Sequence, residues 1–204
     1  MSEPRIGRLV VASLHQALAE TLPLRLEFYE NWLKPLGLLK EGRHIGVASF
    51  AAALSFLRRE EPASLYDEVT RRAGDLAAQW TFDSLPWTRK RWITLLPARL
   101  RTRAALRMAR IVARAAYPGI RIRFGLQRGA GRVDVRGSIF CQVREPVRSP
   151  LCGFYAGLVA RLLAEHGIES EVTLVECLAT ASPACRMELT WRAKGARPPV
   201  EAVS

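Results

Sequence analysis

Apolar residues recur at Ile6, Leu9, Val10, Leu14, Leu18 and Leu22, the spacing of one helix face, and predict a helix over Arg5–Leu22. A second helical segment, "LRLEFYENWLKPLGLL", is broken at Pro35 and Gly37. "IGVASFAAALSFL", Ile45 to Leu57, carries no charge; it is too short for a bilayer span and reads as a buried core helix closing at "RREEP". Ser64 then opens "SLYDEVTRRAGDLAAQW", with Asp67 at the capping-box spacing. Pro86 and Pro97 punctuate two further helices, the second running to about Tyr117.

From Gly119 the period changes to two. Ile120, Ile122, Phe124 and Leu126 alternate with polar residues as a half-buried strand, "GAG" at 129–131 reads as a hairpin turn, and Val133, Val135, Ile139 and Cys141 continue the apolar side of a second strand. No helix follows those glycines, so they do not form a dinucleotide loop. Ser149 and Pro150 read as N-cap and first turn of a helix that Gly167 ends; strands are expected at about 171–178 and 185–192. The architecture predicted is α+β: a helical N-terminal half packed on a four-stranded, mainly antiparallel sheet with one crossing helix. We expect a single domain over 1–204, with a helical part at 1–118, an α/β part at 119–192 and a mobile tail at 193–204.

Charge changes this picture at one place. The net charge is +12, mostly arginine, which permits anionic partners without choosing one. Arg99, Arg103, Arg107, Arg110 and Arg114 fall on one ridge of their helix, opposite Ala105, Met108, Val112 and Ala116, with Arg101 intruding on the apolar side. A solvated face is the plain reading; docking on an acidic partner or an anionic membrane surface is the functional one. No specific nucleic-acid binding is predicted. With no signal peptide or membrane span in evidence, a reducing, cytoplasmic location is the default, and the four cysteines read as thiols or metal ligands rather than disulfides.

Three of the cysteines stand at element boundaries. Cys152 opens a helix, where exposed amides favour a thiolate, and Cys177 and Cys185 flank the loop joining two strands. If those strands form a hairpin, the two thiols face each other across its mouth, and with Cys152 they are candidate ligands of a tetrahedral zinc, Cys141 being a candidate fourth. The spacings are not those of a zinc finger, and buried cysteine also serves as a small hydrophobe. No histidine is placed to make a thiol nucleophile, since His166 lies at the far end of the helix that Cys152 opens. Strict alternation would send Glu176 inward with Val172 and Leu174; a bulge would instead turn Cys177 inward.

The run "LCGFYAGLVARLL … VTLVEC … ASPAC" before a final strand resembles the 4-vinyl reductase domain family, the predicted hydrocarbon-binding domains, over roughly residues 119–192. The resemblance implies a ligand-binding fold shared with aromatic-sensing activator domains and with TRAPP vesicle-tethering subunits. It also implies a structural zinc held by Cys152, Cys177 and Cys185. The family's glutamate ligand falls three residues before the second of these, where this chain has Leu174, so Glu176 or Cys141 would have to substitute.

The function this implies is binding of a small hydrophobic or aromatic molecule (a hydrocarbon, an acyl chain or a tetrapyrrole-like compound) between helices and sheet, in the service of a partner protein. Phe50, Phe56, Trp80, Phe82, Trp87 and Phe154 are the candidate lining residues, each also explicable as core. Two alternatives stand beside it: a reductase, accessory or carrier of bacteriochlorophyll synthesis, and a dimeric interaction module of TRAPP type. No dinucleotide or flavin motif is present, which favours a binding protein over an enzyme.

Overall fold

The computed structural model describes residues 5–33, 45–127, 129–143 and 147–193. The break expected at Pro35 and Gly37 lies outside these residues, as does the expected tail except Ala193. Before Gly119 the chain forms α1 (Arg8–Thr21), α2 (Leu26–Leu33), α3 (Val47–Glu60), α4 (Ala63–Asp83), α5 (Trp87–Leu95) and α6 (Ala98–Ala116). Two short strands, β1 (Arg5–Ile6) and β2 (Ile45–Gly46), pair antiparallel and bring the starts of α1 and α3 together.

After Gly119 come β3 (Arg121–Leu126), β4 (Ala130–Arg136), α7 (Gly153–Glu165), β5 (Ile168–Glu176) and β6 (Cys185–Ala193). The sheet order is β3-β4-β6-β5, and every neighbouring pair is antiparallel. The last strand alternates along its length: Cys185, Met187 and Leu189 are buried, while Glu188, Thr190 and Arg192 face solvent. Fully burying side chains such as Met187 and Leu189 stabilises the fold by about 1.5–3 kcal/mol each.

Proline sets three helix starts. Pro62, Pro86 and Pro97 are the N-caps of α4, α5 and α6, with φ near −55° and no side-chain cap. Each lacks an N–H and disfavours helix in the residue before it, so the helix cannot extend backward. The Ser64 cap with Asp67 is therefore not formed; Asp67 instead accepts from Arg71 Nε at 2.6 Å.

α7 packs on β5 and against α4 and α6. The α4–α7 contact is backbone on backbone. A Cβ added at Gly74 would stand 2.0 Å from the Phe154 carbonyl oxygen, and one at Gly157 would stand 2.1 Å from that of Arg71. Only glycine fits such approaches. The start of α7 is thus fixed against α4. Arg101, the cation on the apolar side of α6, donates from Nη1 to the His166 carbonyl at 3.1 Å and so satisfies the C-terminal end of α7.

Candidate metal centre

Four segments end at one point in the core. Cys152 is the N-cap of α7, which begins at Gly153 and not at Pro150 as the Ser149–Pro150 pair suggested. The preceding residue explains the delay: Leu151 N–H donates to Cys177 Sγ at 3.3 Å, which holds this stretch out of the helix. Cys141 lies not on a strand but at the end of a 3-10 turn, Ile139–Cys141, whose N-cap Ser138 accepts from Phe140 N–H at 3.2 Å.

Cys177 and Cys185 flank the β5–β6 loop as expected. The ladder slips where Leu174 pairs with Met187 but Glu176 with Arg186. Val175 is the extra residue of the bulge and is 49% exposed, and the slip turns Cys177 inward to full burial. Glu176 receives Arg186 Nη1 at 2.7 Å, on the side away from the thiols, so it is not a ligand in this arrangement. Leu174, where the resemblance would place a glutamate ligand, is half-buried against the core.

All four cysteines are buried and their sulfurs are mutual neighbours. Cys177 Sγ stands 3.5, 3.6 and 3.8 Å from those of Cys141, Cys152 and Cys185. Cys141 to Cys185 is 3.4 Å, and Cys152 is drawn closer, 2.8 Å from Cys141 and 2.7 Å from Cys185. A tetrahedral ion bound to sulfur at about 2.3 Å sets edges of about 3.8 Å. Cys177 already has that spacing, and the others reach it by moving outward. Leu178 N–H donates to Cys185 Sγ at 3.3 Å, so with Leu151 two amides point at the cluster, and such donors hold thiolate ligands in place and offset their charge.

The electrostatics agree. Hydrogen bonds from Cys141, Cys152 and Cys185, with the Leu151 amide, pull the Cys177 thiol far below its ordinary pKa. Burial pushes the Cys152 thiol well up, reinforced by its cysteine neighbours. Four thiolates in so small a volume require a metal ion. The four cysteines are placed to hold one.

An aromatic wall backs the centre. The ring of Phe140, beside Cys141, stacks on Phe154 at 4.8 Å and meets Phe50 edge-on at 5.8 Å and Tyr155 at 5.7 Å. Among the six aromatics read as lining residues, only Phe50 and Phe154 meet here. Phe56 packs against Phe28 and Trp32, and Trp80 sits half-buried at the edge of the core. Phe82 lies on the His166 ring at 5.5 Å, and Trp87 is 68% exposed on α5. These six candidate side chains are therefore not gathered around one space.

A hollow of about 300 Å³ opens beside the centre instead, lined by Arg58, Ala63, Tyr66, Val147, Pro150 and Leu151, among others. Tyr66 is 2% exposed, and its hydroxyl has no hydrogen-bond partner among the described residues. Burial, with the nearby cysteines, holds that phenol far above its ordinary pKa, so it stays neutral and can donate a hydrogen bond. Sequence reading passed over Tyr66 and Phe140. Phe140 could have been found as the neighbour of Cys141; no local pattern marks Tyr66.

By sequence, the chain matches no protein-family profile and no curated protein. By structure, it is similar to the phenol-responsive sensory domain of the transcription activator PoxR, solved with phenol. That match has a TM-score of 0.53 and 13% identity and covers 72% of this chain and 77% of that one. It is also similar to a trafficking protein particle complex subunit 3 from Naegleria fowleri covalently bound to palmitic acid. Here the TM-score is 0.51 with 10% identity, over 72% of this chain and 95% of that one. At these identities the likeness is one of fold: helices packed on a four-stranded antiparallel sheet.

Proposed function

We propose that this chain is a small-molecule-binding protein in which a structural zinc, held by Cys141, Cys152, Cys177 and Cys185, braces the wall of an apolar site. The observation that carries the reading is the juxtaposition of four buried thiols with the hollow at Tyr66. Four cysteine ligands make a closed site, so the metal would tie the start of α7 to the β5–β6 hairpin and activate no water. The departure at Leu174 from the 4-vinyl reductase pattern is then made good by Cys141.

The ligand would enter past Arg58 and Arg148, put an acceptor atom on the Tyr66 hydroxyl and rest its apolar body on Val147, Pro150 and Leu151, with Phe50 and Phe154 behind. The hollow is at the small end of the usual range of about 300–1,000 Å³, which favours one aromatic ring or a short acyl chain over a tetrapyrrole. The phenol in the sensory domain and the palmitate in the trafficking subunit support both ligand classes by analogy of fold alone. A partner protein would read the bound state.

Native mass spectrometry of untagged, freshly purified protein tests both halves. About one zinc per chain is expected from a closed site, together with a thermal shift that grows with phenol or fatty-acid concentration. A folded, metal-free protein with reduced thiols rules out the zinc. Absence of any adduct or shift across phenols, acyl chains and tetrapyrroles rules out the ligand. Tyr66→Phe should weaken a phenol by about ten-fold if the hydroxyl is its donor.

A further inference from the structure

The helix α5 is oriented against the usual rule of burial. Of its nine residues only Ile93 is buried, while Trp87, Trp92 and Leu95 are 68%, 70% and 70% exposed. At 3.6 residues per turn these three fall within an arc of about 140°, opposite Ile93. Arg91 lies inside that arc and is exposed, as is Arg89 beside it. Lys90 is turned back to the protein, donating to the Asp83 carbonyl at 3.3 Å and lying over Phe82 at 5.1 Å. Helix α5 therefore presents its large apolar side chains outward and anchors itself with its small remaining face.

Only Leu96 and Pro97 separate α5 from the basic ridge of α6. Arg99, Arg103, Arg107 and Arg114 are exposed there, with Leu100 at 44% and Ile111 at 63% exposure on the same outward side. No Asp or Glu occurs between Asp83 and Asp134. The run from Trp87 to Arg114 thus exposes indole and aliphatic groups interspersed with guanidinium groups and contains no carboxylate of its own.

We infer that this face docks on an anionic phospholipid bilayer. Indole rings belong at the headgroup level, aliphatic side chains reach the acyl boundary, and exposed arginines meet lipid phosphates. A second copy of the chain is a poor occupant, because a symmetric contact would bring the same uncompensated arginines together. Nucleic acid would satisfy the arginines, but Leu95, Leu100 and Ile111 offer nothing to a base or phosphate. None of these side chains belongs to the cysteine cluster or to the hollow at Tyr66, and the inference does not depend on the proposed ligand.

Flotation of the full chain with phosphatidylcholine vesicles, and with the same vesicles containing phosphatidylglycerol, is the test. Binding to the anionic vesicles only, weakened by salt and accompanied by a blue shift of tryptophan emission, is expected. The double variant Trp87→Ala/Trp92→Ala should lose the blue shift that accompanies docking and at least about ten-fold in partitioning. Replacing Arg99, Arg103 and Arg107 with Gln should weaken binding about five-fold per charge. Both variants change exposed residues, and unchanged thermal melts establish that they remain folded. Equal binding to neutral vesicles, binding by folded variants at the parental level, or capture of single-stranded oligonucleotide without vesicle binding would each overturn the inference.

Discussion

The cysteine centre and the outward face of α5 invert each other. In the first, four ionisable sulfurs are buried among aromatic rings; in the second, two tryptophans and a leucine stand in water among arginines. Each arrangement costs stability taken alone. Burying thiols without a cation leaves them to share protons, and exposing indoles forgoes their burial. On the readings proposed above, something outside the chain, a metal ion in one place and a bilayer in the other, would recover those costs. The two regions should therefore respond to mutation in opposite ways, one through stability and the other through binding.

The largest expected effect is at the centre. Cys177→Ser removes the sulfur nearest to tetrahedral spacing and the acceptor of the Leu151 amide. Loss of a structural metal is among the few single changes that cost more than about 4 kcal/mol, or about 10 °C in a chain of this length. Zinc content and the thermal midpoint should fall together. If the midpoint falls by only a degree or two and the zinc content does not change, Cys177 is not a ligand of a structural metal.

Gly157→Val comes next and separates packing from metal binding. The new side chain would meet the Arg71 carbonyl at the α4–α7 contact, where neither backbone can give way. Overpacking of that kind should cost about 3 kcal/mol, read from a urea midpoint, while the purified variant keeps its metal. Loss of zinc in a variant that is still folded would mean that the α4–α7 contact, and not the cysteines alone, builds the centre.

These two sites also show what the sequence could and could not disclose. The alternation in β6 and the boundary position of Cys177 and Cys185 were readable because strand period and hairpin geometry are local. The bulge was readable from Glu176, a carboxylate that strict alternation would have buried. That Cys141 belongs with the other three was open, because its 3-10 turn reaches the site by tertiary path rather than by pattern. The aromatic residues were the least readable. Composition marks Phe50, Phe56, Trp80 and Trp87 alike, yet helix rotation places Phe50 on Phe140 and Trp87 in solvent.

A smaller effect distinguishes buried polarity with a use from buried polarity without one. His166 is fully buried, with Nδ1 donating to the Leu162 carbonyl at 2.7 Å and Nε2 without a partner among the described residues. Burial lowers its pKa below the ordinary value. The unfolded chain then binds a proton that the folded chain refuses as pH falls below about 6.5, so this contribution is complete above that pH and is lost below it. The slope is at most about 1.4 kcal/mol per pH unit. Urea titrations of the parent and His166→Phe between about pH 7 and 5 should show a steeper acid loss in the parent. Parallel curves would mean that the ring protonates freely in the fold.

The smallest effect is the one that most sharpens the contrast. Trp87→Ala and Trp92→Ala remove the largest side chains of α5, yet those chains are 68% and 70% exposed. If the rings serve the fold, each truncation should cost what a partly buried indole contributes, well over 1 kcal/mol by its lost area. If they serve a surface outside the protein, each should change stability by no more than about 0.5 kcal/mol, as for exposed positions in general. Ile93, the buried anchor of the same helix, supplies the internal standard, since Ile93→Ala should cost about 2 kcal/mol or more. Thermal melts of the three variants side by side decide the matter. A tryptophan variant as damaged as Ile93→Ala would place those rings in the packing of the fold and remove the reason to look for what they bind.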